Sequence, residues 1–311
     1  MGVLTSAVVV SVTFGSADRR PAATRLTEPH PGLGSRASLE RPREVMAGED
    51  PPTLMGAVDY GLEDKVAVIT GAASGIGRAT AELFCGQGAL VVASDLNADA
   101  GAETVRRLRQ AGGSALFVAA DVRDDAAVKA VVDRAVQEHG RLDCAANCAG
   151  VGAGHGATHD YDPETWHRIV DINLRGTWQA MRHEIAAMLA GGQGGTVVNT
   201  ASTLSLRGSP FGSPYSASKH GVLGLTRTAA LEYATQGIRV NAVCPGAIDT
   251  PMMDETFTRF PGFREMLLGL VPMQRMGRPD EVAHAIAWLS SEGSSFVTGE
   301  GVAIEGGLLA R

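Results

Sequence analysis

The chain of 311 residues is 44% hydrophobic and 20% charged, which is ordinary for a globular protein and long enough for one large α/β domain or two small ones. A net charge of −7 argues against nucleic acid as the main partner, because nucleic-acid-binding proteins usually present a basic face. The four cysteines form no C-x-x-C pair and match neither a zinc site nor a dense disulfide framework. They predict free thiols in a reducing, cytoplasmic setting and no metal site.

Residues 1–60 differ in composition from the rest of the chain. They contain Pro, Gly, Ser and Arg clusters without a sustained apolar period, which predicts a disordered or non-native extension. The apolar run from Val3 to Phe14 suggests a secretory signal, but it lacks a basic n-region and a clear cleavage site, and about 12 apolar residues are too few for a membrane span. Alternatively, translation begins at Met46 or Met55. We expect one domain over residues 61–311 and no membrane partner.

From Lys65 onward, apolar β-branched runs alternate with helical patterns. Strands are predicted at Val66 to Thr70, Leu90 to Ser94, Ala115 to Ala119, Leu142 to Ala146, Thr196 to Thr200, Ile238 to Cys244 and Gly301 to Ile304. Helices are predicted at Gly75 to Gln87, Ala98 to Ala111, Asp124 to His139, Pro163 to Leu189, Ser213 to Ala234 and Pro279 to Ser290. Continuous apolar strands between helices indicate a parallel sheet covered on both faces. The predicted fold class is a single-domain, doubly wound α/β sheet of the Rossmann type.

A glycine-rich turn, Gly71-x-x-x-Gly75-x-Gly77, follows the first predicted strand and opens the first predicted helix. Glycine permits the tight turn and the close approach of a ligand, and the helix N-terminus favours a pyrophosphate. Such turns also occur for packing alone, and the spacing differs from the plain G-x-G-x-x-G. The strand–turn–helix context nevertheless predicts nucleotide binding, with Ser74 and Ile76 among the contacts.

Asp95 ends the second predicted strand, 24 residues after Gly71. A carboxylate there can accept hydrogen bonds from the adenosine ribose hydroxyls, and it would repel a 2′-phosphate. The following Leu96 and Asn97 supply no arginine for that phosphate. The pattern therefore favours NAD over NADP, although an aspartate at this point can also simply cap the next turn.

Tyr215 and Lys219 lie at positions i and i+4 of a predicted helix, so their side chains can converge on one face. Unperturbed tyrosine has a pKa of about 10, too high for a base at neutral pH, and an adjacent ammonium lowers it. Ser202 follows the fifth predicted strand and can orient a substrate oxygen. Alone, each residue type usually serves packing, solvation or turns. Together they predict hydride transfer with Tyr215 as general acid/base.

This pattern resembles the short-chain dehydrogenase/reductase family in its single-domain form of roughly 250 residues. The resemblance covers Gly61 to Arg311 and rests on several motifs in the family's order. These are Thr70-Gly71-x-x-x-Gly75-x-Gly77, Asp121-Val122, Asn147-Cys148-Ala149-Gly150, Asn173, Ser202, Tyr215-x-x-x-Lys219 and the segment from Pro245-Gly246 to Thr250.

The resemblance implies how the cofactor is held. Asp121 and Val122 would meet the adenine ring, and Asn147 with its neighbours would line the cofactor ribose. Ile248 and Thr250 would hold the nicotinamide carboxamide. The remaining contacts that it implies are Ala149, Pro245 and Gly246.

The resemblance also implies roles behind the catalytic tyrosine. Lys219 would hydrogen-bond the nicotinamide ribose, and Asn173 would support a water-mediated proton relay behind the lysine. The family usually has a second asparagine where this chain has Cys148. Because cysteine is small and tolerates burial, we expect weaker local hydrogen bonding there and no loss of function.

The segment from Pro251 to Leu270 is rich in apolar side chains and predicts a lid over the nicotinamide. An apolar lid suggests an apolar or cyclic secondary alcohol and its ketone, although the same side chains are equally suited to packing or a subunit contact. His155 and His159 lie in the loop after Gly150, where they could contact the substrate, although we expect them to be solvated. The resemblance implies a homotetramer formed through the two long helices.

The sequence therefore predicts an NAD-dependent oxidoreductase that interconverts a secondary alcohol and a ketone. One alternative is a 3-oxoacyl-thioester reductase of the same family, which Asp95 disfavours because those enzymes usually take NADP. The other is a non-catalytic NAD-binding sensor or scaffold protein, against which the intact Ser202, Tyr215 and Lys219 set argues.

Overall fold

The structure is a computed structural model and describes residues 58–152 and 154–310. Most of the predicted extension over residues 1–60 lies outside the described residues. Of its last residues, Tyr60 contacts the folded domain: its backbone N–H donates to Gln87 Oε1 at 3.0 Å, and its hydroxyl lies 2.9 Å from His284 Nδ1.

Seven parallel strands form one sheet in the order β3-β2-β1-β4-β5-β6-β7. Their bounds are β1 Val66–Thr70, β2 Leu90–Asp95, β3 Ser114–Ala119, β4 Cys144–Asn147, β5 Gly195–Thr200, β6 Ile238–Pro245 and β7 Gly301–Ile304. All five residues of β1 are buried, as expected for a strand covered on both faces. The predicted doubly wound α/β fold is confirmed.

The helices pack on both faces of this sheet. They are α1 Gly75–Gly86, α2 Ala98–Gln110, α3 Asp125–His139, α4 Pro163–Val170, α5 Gly176–Gly191, α6 Ser213–Tyr233, α7 Pro251–Arg259, α8 Phe263–Leu270 and α9 Pro279–Ser290. Phe84 of α1 and Ile286 of α9 belong to the buried cluster on one face, and Val131 of α3 and Met188 of α5 to that on the other. The core is thus split into two layers by the sheet.

Side chains mark several helix starts. The Asn97 side chain accepts the Ala100 N–H before α2, and Asp124 accepts the Ala126 N–H before α3. By contrast, the Ser74 side chain makes no capping hydrogen bond before α1. The first backbone N–H groups of α1 therefore have no side-chain acceptor.

The helix predicted from Pro163 to Leu189 is interrupted. A π-helical turn, Asp171–Arg175, joins α4 to α5, while the backbone on both sides of it stays in the right-handed helical region. Such a turn inserts one residue into an otherwise continuous helix. The segment from Pro251 to Leu270 forms the two short helices α7 and α8.

The sheet order reverses between β1 and β4, so the connections after these neighbouring strands leave in opposite directions. This arrangement opens a crevice at the carboxyl ends of the strands, where ligands of doubly wound sheets bind. Among the described helices, none has the length and apolar character needed to cross a membrane.

Candidate active site

A cavity of about 380 Å³ lies at this crevice. Its wall contains Ser202 and every predicted cofactor contact except Asn147. Those contacts are Gly71, Ser74, Gly75, Ile76, Gly77, Asp95, Leu96, Asp121, Val122, Ala149, Tyr215, Lys219, Pro245, Gly246, Ile248 and Thr250. Residues separated by more than a hundred positions in the chain are therefore brought together around one volume.

The glycine turn has the shape that its sequence predicts. Gly71 adopts a φ of +70°, and a Cβ there would lie 2.7 Å from the Ala149 backbone nitrogen. A Cβ on Gly77 would overlap the Gly71 carbonyl oxygen. Both positions therefore require glycine. Because the N-terminus of α1 lies in the cavity wall without a side-chain cap, its N–H groups can receive a pyrophosphate.

Asp95 is fixed at the end of β2. Its Oδ2 accepts the Ala73 N–H at 3.0 Å, and its Oδ1 accepts the Asn97 N–H at 2.9 Å. The carboxylate thus braces the glycine turn and caps the next turn, and each oxygen retains a lone pair for a ribose hydroxyl. Its position in the wall fits a dinucleotide cofactor.

Arg123 is a wall residue that was not predicted from the sequence. Its guanidinium donates to both carboxylate oxygens of Asp121, at 2.6 Å for the shortest pair, and this hydrogen bonding lowers the pKa of that carboxyl. The arginine follows Asp121 by two positions, a spacing that carries no recognisable signal by itself. The cavity wall therefore contains a carboxylate and a guanidinium that neutralise each other.

Asn147 does not line the cavity. It is buried, and its Nδ2 donates to Glu184 Oε2 at 2.9 Å and to Asn199 Oδ1 at 3.1 Å. Because successive side chains of a strand alternate between faces, Asn147 points towards α5 and the next residue, Cys148, enters the wall. The Asn147 side chain thus makes structural contacts beneath the site, and its predicted ribose contact stays a prediction.

Two groups at this point, one buried and one half-buried, have shifted pKa values. Burial raises the pKa of the Glu184 carboxyl to about 7, although the Asn147 amide opposes the shift. Burial likewise raises the pKa of the Cys148 thiol to about 11, while the hydroxyls of Thr200 and Thr80 lower it. Cys148 is thus a protonated, weakly reactive thiol in the position of an amide. Sequence reasoning missed Glu184, whose one signal is an acidic residue among the apolar positions of α5.

Tyr215 and Lys219 project from α6 into the same cavity as Ser202. The Lys219 Nζ donates to the Thr200 carbonyl oxygen at 2.7 Å and lies 5.7 Å from the centroid of the Tyr215 ring. Burial lowers the pKa of Lys219 to about 8. The Ser202 hydroxyl oxygen accepts the Leu204 N–H at 3.1 Å, which orients the serine.

The sequence predicts a lowered pKa for Tyr215, but in the structure the pKa is shifted in the opposite direction. Burial raises it above its ordinary value, and the hydrogen bond with Ser202, rather than the charge of Lys219, opposes that shift. The lysine ammonium is directed at the Thr200 carbonyl oxygen instead. The tyrosine therefore keeps its proton at neutral pH and is prepared to donate it.

Asn173 lies in the π-helical turn and is completely buried. Its Oδ1 accepts the Val151 N–H at 2.8 Å, and its Nδ2 donates to the Val151 carbonyl oxygen at 3.0 Å. A Cβ on Gly150 would lie 3.2 Å from Asn173 Oδ1 and 3.6 Å from Lys219 Nζ. Asn173 is therefore outside the cavity wall and fixes the backbone that separates it from the lysine.

A second cavity of about 530 Å³ adjoins the first and shares five wall residues with it, namely Ser74, Gly150, Val151, Pro251 and Met252. The loop after β4, helix α4 and helix α7 form most of its wall. The His155 ring lies there with its centroid 4.9 Å from that of Phe211 and 4.9 Å from that of Phe260. His159 is not part of either wall. Part of the predicted lid thus borders this second cavity.

Within the described part of the chain, His, Cys, Asp and Glu side chains form no group of three that could hold a metal ion. The four cysteines are free.

Comparisons with known proteins agree with this geometry. Residues 71–309 match a family model described as enoyl-(acyl carrier protein) reductase. An A-factor type gamma-butyrolactone 1'-reductase (1S-forming) from Streptomyces virginiae is 45% identical over 247 residues, or 79% of this chain and 96% of that protein. A cis-4-hydroxycyclohexanecarboxylate dehydrogenase from Sinomonas cyclohexanicum is 44% identical over 248 residues, or 79% of this chain and 97% of that protein.

Among solved structures, a protein assigned as a 2-deoxy-d-gluconate 3-dehydrogenase from Agrobacterium tumefaciens, with bound NADP, has a TM-score of 0.74. It is 33% identical and covers 81% of this chain and 99% of its own. The motif order, the fold and these relatives agree with one another. The chain belongs to the short-chain dehydrogenase/reductase family, whose members are oxidoreductases that act on CH–OH groups with a nicotinamide cofactor.

Proposed function

We propose that the protein is an NAD-dependent oxidoreductase that interconverts a secondary alcohol and a ketone, with Tyr215 as the general acid/base. The observation that carries this proposal is the convergence of Ser202, Tyr215 and Lys219 on a cavity that also contains the uncapped N-terminus of α1 and Asp95. The groups proposed for catalysis and those proposed for nucleotide binding thus line the same volume.

In the reducing direction, Ser202 orients the ketone oxygen, and the Tyr215 phenol donates its proton to that oxygen as charge develops there. The bound nicotinamide supplies or accepts the hydride. In the oxidising direction, the Tyr215 phenolate takes the proton of the alcohol. Because burial raises the pKa of Tyr215, oxidation should accelerate as the pH rises, whereas reduction uses the form that is present at neutral pH.

Lys219 supplies a positive charge beside Tyr215. Its ammonium lies 5.7 Å from the Tyr215 ring centroid and is held there by the hydrogen bond that it donates to the Thr200 carbonyl oxygen. Asn173 is a positioning residue, since it holds the Val151 backbone beside the lysine.

The preference for NAD rests on Asp95. Its carboxylate lies in the cavity wall where the adenosine ribose is expected, and the arginine that lines the same wall, Arg123, is already paired with Asp121. A 2′-phosphate would meet a negative charge without a free cation. The Agrobacterium tumefaciens relative has NADP bound, so the choice needs a direct comparison of the two nucleotides. Titration of protein fluorescence should give tighter binding of NADH than of NADPH, and the reverse order would refute the assignment.

The substrate class proposed is a cyclic or apolar secondary alcohol. Apolar side chains of the lid, including Met252, Met253 and Phe260, border the two cavities. The Sinomonas cyclohexanicum relative is a cis-4-hydroxycyclohexanecarboxylate dehydrogenase, and its cyclic secondary alcohol agrees with this class. A 3-oxoacyl-thioester reductase is the second candidate. The first activity assays should therefore test a 3-oxoacyl thioester together with cyclic ketones.

Replacing Tyr215 by Phe tests the mechanism. The variant should lose nearly all turnover, at least a hundred-fold, because proton transfer by a positioned group contributes about 10²–10⁴-fold. NADH binding, followed by fluorescence, should remain within two-fold of wild type. Tyr233→Phe, near the end of the same helix, is the matched control and should keep full activity. Full turnover of the Tyr215→Phe variant would refute the mechanism, and binding without turnover by the wild type on every substrate would favour the sensor alternative.

We further propose a cytoplasmic homotetramer. The free cysteines suit a reducing compartment, and α5 and α6 each expose a large apolar side chain, with Trp178 43% and Leu231 86% exposed. Size-exclusion chromatography with light scattering should give four times the chain mass. A clean monomer would refute this assembly.

A further inference from the structure

The second cavity carries two guanidinium groups that the reaction proposed above does not use. Arg168 belongs to α4 and Arg259 to the end of α7, so two separate elements bring positive charge to one wall. Among residues 58–152 and 154–310, neither guanidinium forms an ion pair or a hydrogen bond. Arg259 is oriented by stacking, with its guanidinium carbon 5.6 Å from the centroid of the Phe260 ring.

A third polar group of the same wall lacks a partner. The Tyr161 hydroxyl oxygen is buried and makes no hydrogen bond with any described residue. Burial raises the pKa of this phenol, and the charges of Arg259 and Arg168 lower it. A positive potential therefore reaches a buried donor that has nothing to donate to, an arrangement that suits an anionic acceptor.

The wall also contains two carboxylates, those of Asp162 and Glu255, but neither forms an ion pair with Arg168 or Arg259. The Asp162 carboxylate accepts the Thr165 N–H at 2.8 Å and is committed to capping α4. Glu255 is exposed on α7, one helical turn before Arg259, yet the two side chains form no ion pair. Glu255 opposes anion binding, so its removal should strengthen it.

The position of the cavity connects this charge to the reaction. It shares Gly150, Val151 and Met252 with the wall that contains Ser202 and Tyr215. We propose that the second cavity is a subsite for a carboxylate carried by the alcohol or ketone substrate, with Arg168, Arg259 and the Tyr161 hydroxyl as its donors. The substrate class is then a cyclic or apolar hydroxy acid, or its oxo acid, with the reacting carbon remote from the carboxylate. This inference rests on the proposed function for the identity of the reacting group.

Binding can be measured apart from turnover. Cyclohexanecarboxylate has the anion but no hydroxyl to oxidise, and cyclohexanecarboxamide is its neutral match. With the protein saturated with NADH, calorimetry should show the carboxylate binding at least ten-fold more tightly than the amide. Arg168→Gln and Arg259→Gln should each weaken carboxylate binding by about ten- to a hundred-fold, as expected for loss of a hydrogen bond to a charged group. Glu255→Gln should strengthen it, and Tyr161→Phe should weaken it several-fold.

Arg264→Gln is the control for net charge, because Arg264 lies on the neighbouring α8 and outside both walls. This variant should bind cyclohexanecarboxylate and cyclohexanecarboxamide with affinities within two-fold of those of the wild type. Equal binding of carboxylate and amide by the wild type would overturn the subsite. So would arginine variants that weaken NADH binding but not carboxylate binding, since the guanidinium groups would then serve the cofactor pyrophosphate.

Steady-state kinetics separates this inference from the proposed function. The two substrates to compare are 4-hydroxycyclohexanecarboxylate and its methyl ester. The wild type should have the higher kcat/KM for the acid. The arginine variants should lose this preference, mainly because their KM for the acid is higher. Turnover of both compounds without preference would overturn the subsite alone. Tight carboxylate binding with no turnover of either compound would refute the proposed function and support the subsite.

Discussion

Replacing Glu184 by Gln should stabilise the protein at pH 8 and leave its stability at pH 5 nearly unchanged. The side chain is 1% exposed, and burial raises the pKa of its carboxyl from 4.5 to about 7. The folded state therefore holds a proton that the unfolded chain releases at lower pH. This contribution to stability is fully present below pH 4.5 and is lost as the pH rises through 7.

The size of the effect follows from the shift. Each pKa unit corresponds to about 1.4 kcal/mol, so the folded protein should lose roughly 3 kcal/mol from this group between pH 4.5 and pH 7. Glutamine carries no charge at any pH in this range. Its carbonyl can accept from Asn147 Nδ2, as Glu184 does, and its amide can donate to Asn147 Oδ1, which has no partner among the described residues.

The measurement is urea denaturation of wild type and Glu184→Gln at pH 5, 6, 7 and 8, at one protein concentration. The difference in the free energy of unfolding should grow with pH in favour of glutamine and then level off. Glu232→Gln, which removes an exposed carboxylate from α6, is the control. A difference that stays constant across this range would show that Glu184 is not held neutral by burial, and a glutamine variant less stable at pH 8 would refute the reasoning about its hydrogen bonds.

Two further substitutions test how the site is positioned. Gly77→Ala should weaken NADH binding at least ten-fold and lower the melting temperature, because its Cβ would overlap the Gly71 carbonyl oxygen; overpacking of this kind costs about 1–3 kcal/mol. Gly86→Ala on the same helix meets no atom within 4 Å and should be neutral or slightly stabilising, and equal behaviour of the two variants would contradict the account of the turn. Asn173→Leu should lower the free energy of unfolding by about 2–4 kcal/mol, since it leaves the Val151 N–H and carbonyl without partners. Urea denaturation checks this loss, and an unchanged midpoint would contradict it.

Much of the fold was predictable because its signals are local. The strand Val66–Thr70 is an uninterrupted apolar run in the sequence and a fully buried strand in the structure. The glycine turn was equally readable, since positions such as Gly71 need a backbone shape or a closeness that a side chain forbids. The residues around the first cavity followed from motifs whose order along the chain was visible.

The parts that were not predictable depend on contacts between distant residues. Asn147 and Glu184 are 37 positions apart, and their pairing follows from which face of β4 the asparagine occupies. The charge of the second cavity depends on α4 and α7 meeting across the loop after β4. The direction of the Tyr215 pKa shift could not be predicted either, because it depends on burial in the packed structure. The spacing of Tyr215 and Lys219 in the sequence indicates only that they are close along a helix.

The π-helical turn sets the angular phase between two halves of what would otherwise be one helix. An α-helix advances about 100° per residue, so removing one residue between Asp171 and Arg175 would rotate α4 by that angle relative to α5. The face of α4 that carries Arg168 would then turn away from the cavity while α5 kept its packing on the sheet. Insertion or deletion of a single residue in this turn would thus change which side chains of α4 line the second cavity without altering the hydrophobic core.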